Sequence, residues 1–201
     1  IYVDLHANPT AGVYGTASVG RLSNGGLLLD TIYANLSQDT TGVRMEAFVK
    51  NYTKRNPNKF EIRAQGYLLS SGAGLMAQFY DNDGEKGIDL GLKADLVENG
   101  LKIMISPEHP VLAYRNFTVN KDNYIFFGNQ KEIRANVDLL ADDGTGVKLY
   151  SAPGDSINDI ALSINNLNLG ELSTVLPYLP TMGGKLSGDI HILDNHKTYS
   201  A

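Results

Sequence analysis

The chain has 201 residues, with 17 Lys and Arg against 22 Asp and Glu, four His, 21 Gly, and neither Cys nor Trp. A net charge of −5 gives no electrostatic reason to expect nucleic acid, and no Lys/Arg cluster is present to hold an anionic membrane surface. Without cysteine, disulfides and thiolate metal sites are excluded, which fits a cytosol or a periplasm equally well.

No apolar run reaches the ~18 residues of a membrane-spanning helix. The opening Ile1-Tyr2-Val3-Asp4-Leu5-His6 lacks a basic segment followed by an apolar one, so it does not read as a signal peptide. It begins inside a strand pattern, and the chain stops soon after another. A fragment of a longer protein is expected, as one elongated β domain over 1–201.

The dominant signal along the chain has period two, the mark of strands with one apolar face. Val43, Met45, Ala47 and Val49 alternate with Arg44, Glu46 and Lys50. Phe60, Ile62, Ala64 and Leu68 oppose Glu61, Arg63, Gln65 and Tyr67. Leu75, Ala77 and Phe79 follow, and Asp81-Asn82-Asp83-Gly84 turns the chain. Ile88, Leu90, Leu92, Ala94 and Leu96 share a face against Asp89, Lys93 and Asp95. Asn99-Gly100 predicts a type I′ hairpin, with Leu101, Ile103 and Ile105 on the returning arm.

The pattern continues with Ile133, Ala135, Val137 and Leu139, then a turn at Asp142-Asp143-Gly144, then Val147 and Leu149. Ile160, Leu162 and Ile164 alternate with Asp159, Ala161 and Ser163. Asn168 as N-cap with Glu171 three residues on predicts a capping box. The helix it opens carries Leu169, Leu172, Val175 and Leu176 and ends before Pro177, after about two turns. Leu186, Ile190 and Ile192 form a last strand against Lys185, Ser187, Asp189 and His191. Arg55–Lys59 and Ser106–Pro110 are the best loop candidates.

Candidate chemistry is sparse. His6 and His191 lie in strand patterns, His109 precedes Pro110, and His196 lies near the end of the chain; their spacing does not suit metal ligation. Asp81–Glu85 resembles part of a calcium loop, but an EF-hand would need an acid where Phe79 stands, so turn chemistry explains it. No Gly-x-Ser-x-Gly elbow occurs, and Ser70–Gly74 reads as a turn. The acidic residues alternate outward, which favours solvated faces over paired catalytic carboxylates. Asn35-Leu36-Ser37, Asn51-Tyr52-Thr53 and Asn116-Phe117-Thr118 match the glycosylation sequon. No enzyme activity, cofactor or metal is therefore expected, and the apolar stripe is the best functional candidate. Its bland reading is an ordinary sandwich core.

Two stretches carry a family resemblance. One is Asn116–Gly128, with Asp122-Asn123-Tyr124-Ile125 inside it. The other is Leu167–Ile192, with Leu-Asn-Leu, a short helix ending near proline, and Gly184-Lys185-Leu186-Ser187-Gly188 opening a strand. These resemble the TamB family of Gram-negative envelope proteins, within the AsmA-like group. The likeness covers roughly Val111–Ile192; the family's usual tryptophan is missing, with Tyr114 or Phe117 in its place. It implies a long curved antiparallel sheet folded into a β-taco-like trough or half-open barrel with one short helix. It implies a periplasmic location, an inner-membrane anchor elsewhere in the parent protein, and an outer-membrane assembly protein as partner to other parts of it. The implied work is phospholipid transport, outer-membrane protein assembly, or both.

On this reading the groove for phospholipid or other acyl chains is lined by Ile88, Leu90, Leu92, Leu96, Ile103, Ile105, Ile133, Val137, Leu139, Ile160, Leu162, Ile164, Leu186, Ile190 and Ile192. Two alternatives compete. A scaffold would bind β-strand clients at an exposed sheet edge. A carbohydrate-binding sandwich or adhesin would use Tyr14, Tyr33, Tyr67 and Tyr80.

Overall fold

The fold is described from a computed structural model, over residues 1–9, 12–24, 27–51, 59–151, 158–175, 180 and 182–194. Arg55–Asn58, Leu176, Pro177 and His196 lie outside the described residues. The described residues are nearly all β, with antiparallel pairing throughout the registers and one short helix among them. The chain divides into two compact units, Ile1–Gly91 and Leu92–Ala201.

The first unit contains β1 (Tyr2–Asn8), β2 (Gly12–Val19), β3 (Leu22–Asn24), β4 (Leu27–Leu29), β5 (Thr31–Gln38), β6 (Gly42–Asn51), β7 (Phe60–Leu69) and β8 (Gly72–Tyr80). Their order is β1-β2-β5-β6-β7-β8, each strand antiparallel to the next, while β3 and β4 form a separate hairpin. Local chemistry sets the turns. Asp39 Oδ1 accepts hydrogen bonds from the Thr41 and Gly42 N–H groups at 2.7 and 3.1 Å, closing the β5–β6 turn. A bond donated by the Thr41 hydroxyl contributes most, and with the two N–H bonds it holds the Asp39 carboxyl below the ordinary carboxylate range. Asp81 Oδ1 accepts from the Asp83 and Glu85 N–H groups, both at 2.9 Å, so the Asp81–Gly84 segment is a turn as its composition predicts.

The β3–β4 hairpin is tied down by one buried side chain. Asn51 Oδ1 accepts from the Asp30 N–H at 2.9 Å, and its Nδ2 donates to the Leu28 carbonyl at 2.8 Å. Asn51 has no exposed surface, so its amide serves packing and the sequon there is not a surface acceptor. Leu29, Phe60 and Phe79 are buried at this end, with the two phenyl rings 6.1 Å apart.

Strand β9 (Lys86–Val97) begins in the first unit and ends in the second. The second unit continues with β10 (Gly100–Leu112), β11 (Arg115–Val119), β12 (Tyr124–Gly128), β13 (Ile133–Ala141), β14 (Gly146–Ser151), β15 (Asn158–Asn168), α1 (Leu169–Val175) and β16 (Lys185–Asp194). The β9–β10 hairpin forms, but its turn is Glu98-Asn99 and not Asn99-Gly100, and neither residue has the positive φ of a type I′ turn. Gly100 is used differently. A Cβ there would lie 2.1 Å from the Phe127 carbonyl oxygen, so the glycine admits the close approach of β12.

Strands β11 and β12 both pair antiparallel with β10 and with β13. They are one strand position interrupted at Asn120–Asn123, and two asparagines bridge the gap. Asn123 is buried; its Oδ1 accepts from the Ile105 N–H at 2.6 Å and its Nδ2 donates to the Ile105 and Asn120 carbonyls. Asn120 Oδ1 accepts from the Asp138 N–H at 2.8 Å, and Nδ2 donates to the Asn136 carbonyl at 3.3 Å. A side-chain amide has the donor and acceptor of a peptide group, so these residues restore rungs that the looped backbone cannot make.

The core of this unit is Phe117, Val119, Val137, Leu139 and Ala141, with Ile105, Leu112, Ile125 and Leu149 packed against it. The helix starts at its expected N-cap, but Glu171 bonds the Asn168 side chain and not its backbone N–H, so the reciprocal bond of a capping box is not made. Asn168 Oδ1 accepts from the Gly170 and Glu171 N–H groups at 3.0 and 3.4 Å, and Glu171 Oε1 accepts from Asn168 Nδ2 at 2.9 Å. A β-bulge shifts register between Ile164 and Leu167, with Asn166 at φ 56°. The extra residue keeps Leu167 opposite Leu186.

Candidate functional site

The registers of the first unit place its apolar side chains in rows that run across the strands. Val3 faces Ala17, Ala17 faces Ala34, Ala34 faces Ala47, Ala47 faces Ala64, and Ala64 faces Ala77. Two residues along each strand, Val19, Ile32, Val49, Ile62 and Phe79 form one flanking row. On the other side run Leu5, Gly15, Leu36, Met45, Gly66 and Leu75. Met45 lies over Gly66, where a Cβ would come within 2.7 Å of its methyl carbon. Strand periodicity puts all three rows on one face.

That face is open over much of its area. Val3, Leu5, Met45, Leu68 and Leu75 are 65, 67, 46, 60 and 47 % exposed. A concavity of about 370 Å³ lies over the alanine row, from Val3 and Leu5 across Ala17, Ala34, Leu36, Met45 and Ala47 to Ala64. Contiguous apolar exposure of this kind marks an interaction or ligand surface more often than it marks an ordinary exterior.

The opposite face of this unit is polar and already engaged. Tyr14 stacks on His6 with centroids 5.0 Å apart, and Tyr33 stacks on Phe48 at 4.9 Å. Tyr67 covers Gly74, and the Arg63 guanidinium sits 5.4 Å from the Tyr80 ring centre. The four tyrosines considered for sugar binding thus share this polar face, but their rings pack on protein partners. Two carboxylates here depart from the expected solvated placement. Glu61 is buried between Lys50 at 3.1 Å and Arg63 at 2.5 Å, and Asp89 is buried against Lys86 at 2.5 Å and Gln78 at 3.2 Å. The Asp89 hydrogen bond raises the Lys86 ammonium above its ordinary range.

The residues expected to line a groove are distributed as follows. Ile88 and Leu90 belong to the first unit and are half-buried. In the second unit, Ile103 faces Ile125, and Ile125 faces Ala135. Ile105 packs on the core, and Ile133 pairs with Phe127. Val137 faces Leu149, Leu149 faces Leu162, and Leu162 faces Ile190. Leu139 leads through Val147 to Ile164, and Ile160 faces Ile192. The period-two reading therefore assembles the β13–β16 residues on one face. Their exposure is uneven: Val137 and Leu139 are 6 % exposed, whereas Leu186, Ile190 and Ile192 are 42, 53 and 59 % exposed, and Leu92 and Leu96 46 and 60 %. The middle of this face is filled by its own side chains, and the β16 end is open.

The concavity of the first unit was not among the expected groove residues. Its signal was the run of small residues at like-facing positions, Ala47, Ala64 and Ala77, which only the strand order aligns. Among the described residues no cluster of three or more His, Asp or Glu could hold a metal ion. His191 bonds Asp159, His6 lies 2.6 Å from Asp4, and His109 Nδ1 lies 3.4 Å from the Thr118 hydroxyl. Among the described residues no helix is long and apolar enough to cross a membrane. Comparison with protein-family models, curated proteins and solved structures finds no match for this chain.

Proposed function

We propose that this chain is a non-enzymatic segment of a periplasmic envelope protein of the TamB type, whose apolar face carries phospholipid acyl chains, in outer-membrane lipid transport or outer-membrane protein assembly. The observation that supports this reading best is the exposed apolar concavity over the alanine row of the first unit. Leaving such a surface in water is unfavourable, and covering it with a hydrocarbon chain gains ~0.8 kcal/mol per buried methylene. A long acyl chain therefore gains on the order of 10 kcal/mol before ordering costs. The turn-based reading of Asp81–Glu85 and the protein-packed tyrosines leave the metal and sugar readings without support.

Purifying the chain from a Gram-negative host and analysing co-purified lipid by mass spectrometry tests the proposal. A photocrosslinking residue at Met45, beside the concavity on the open face, is expected to capture phospholipid. The same residue at Val137, in the filled core, is expected to capture none. No lipid recovered and no crosslink from Met45 would sink the reading. Crosslinks to outer-membrane β-barrel precursors from β1 positions, without lipid, would favour the edge-binding scaffold.

A further inference from the structure

The alanine row has a shape as well as a polarity. Each member sits directly opposite the next across the ladder, so the row runs perpendicular to the strands. Same-face residues along a strand are about 6.8 Å apart, which puts the backbones of the two flanking rows about 14 Å apart. Ile32, Val49 and Ile62 rise beside that span on one side, and Leu36 and Met45 on the other. What remains takes one hydrocarbon chain of about 4 Å contact diameter. It does not take a helix, which with side chains is about 10–12 Å wide.

Length agrees with width. Successive strands are about 4.8 Å apart, so four or five steps from Val3 to Ala64 or Ala77 span about 19–24 Å. Carbon–carbon bonds of about 1.5 Å zigzag to about 1.3 Å per methylene, so this span matches about 15 to 19 carbons.

We propose that the alanine row is the floor of a track holding a single phospholipid acyl chain laid across the strands, and that Ala34 and Ala47 set its width. Both alanines are exposed and line the concavity. This inference rests on the lipid-carrying reading above and adds the orientation of the chain and the residues that gauge it. A leucine at either position would fill the floor to the height of the walls.

The test uses the whole chain incubated with vesicles of phosphatidylcholine bearing a diazirine midway along one acyl chain. Labelled peptides are expected from Gly12–Val19, Thr31–Gln38, Gly42–Asn51 and Phe60–Leu69. The double variant A34L/A47L is expected to lose at least tenfold of the labelling, with an unchanged circular dichroism spectrum. Leu68→Ala, on the same face but outside the track, is expected to stay within twofold of wild type. Should A34L/A47L fail to fold, A34S/A47S keeps the volume and places hydroxyls on the floor, with an expected loss of at least threefold. In an unlabelled competition series, affinity is expected to stop rising near the chain length given above. Wild-type labelling that maps outside β1, β2 and β5–β8, or that survives A34L/A47L or A34S/A47S undiminished, overturns the track while lipid binding stands. Absence of wild-type labelling defeats the lipid-carrying reading itself.

Discussion

Arg115 grips Glu171 across 56 residues of sequence, its Nη2 donating to the two carboxylate oxygens at 2.9 and 2.7 Å. The same guanidinium donates through Nη1 to Thr145 Oγ1 at 2.9 Å and to Asp143. One side chain therefore joins the start of β11, the β13–β14 turn and the first turn of α1. Arg115 follows Ala113 and Tyr114, both in the left-handed region at φ 52° and 62°, so its position depends on a tight turn made without glycine. Replacing Arg115 with Ala is expected to cost about 1–3 kcal/mol, in the range of charge-assisted hydrogen bonds. Chemical denaturation of Arg115→Ala, Glu171→Ala and the double variant checks it. The expected coupling is at least about 0.5 kcal/mol; additive losses would mean that the pair does not hold the helix.

Asp143 gives this node a pH dependence. The Thr145 backbone N–H first, and then the Arg115 guanidinium, hold its carboxyl below the ordinary carboxylate range. A depressed folded-state value means stability that is fully present above the unfolded value, near pH 4, and is lost as pH falls through the depressed value. Asp39 acts in the same direction. Thermal midpoints measured from pH 6 to pH 2 are expected to fall at the acid end. The fall is expected to be shallower in Asp143→Asn; an identical acid profile would refute the assignment.

The asparagines of the interrupted strand predict a different behaviour. Asn123→Ala leaves the Ile105 N–H without its side-chain partner beside a buried position, while the Asn120 carbonyl keeps the Asn123 backbone N–H at 3.1 Å. A loss of about 1–3 kcal/mol is expected, the cost of one buried group left without its partner. Asn123→Asp keeps the acceptor and loses the donor, so it is expected to fall between. Hydrogen exchange at the Ile105 amide reads the change directly, with faster exchange in Asn123→Ala.

Filled and open parts of the apolar face separate under truncation. Leu139→Ala removes a buried core residue and is expected to cost about 2–5 kcal/mol. Leu92→Arg and Ile190→Ala, at exposed positions, are expected to stay within about 0.5 kcal/mol of wild type. Equal losses at all three sites would show a face covered from end to end.

Local signals were the legible ones. The N-cap of α1, the Asp81 turn and the two-faced strands each depend on residues a few positions apart. The Asn99-Gly100 pair was legible as a hairpin but not as a turn type, because Gly100 answers to the Phe127 carbonyl of another strand. Period two tells which residues share a side, but not which side is wet. Glu61 and Asp89 therefore read as solvated while the fold buries them beside cationic partners. Asn123 stood out as part of a motif, yet its work as a substitute peptide group needs β10 beside it. The β3–β4 hairpin is too short to stand out by periodicity.

The alanine row also has an arithmetic. Ala17, Ala34, Ala47, Ala64 and Ala77 follow one another at intervals of seventeen, thirteen, seventeen and thirteen residues. Each pair of intervals is one hairpin, so one hairpin contributes two floor positions. Removing a hairpin would shorten the row by about 10 Å, two strand spacings, and leave its width untouched. Length and gauge are thus set separately: one by the number of hairpins in the row, the other by the size of a single position on each strand.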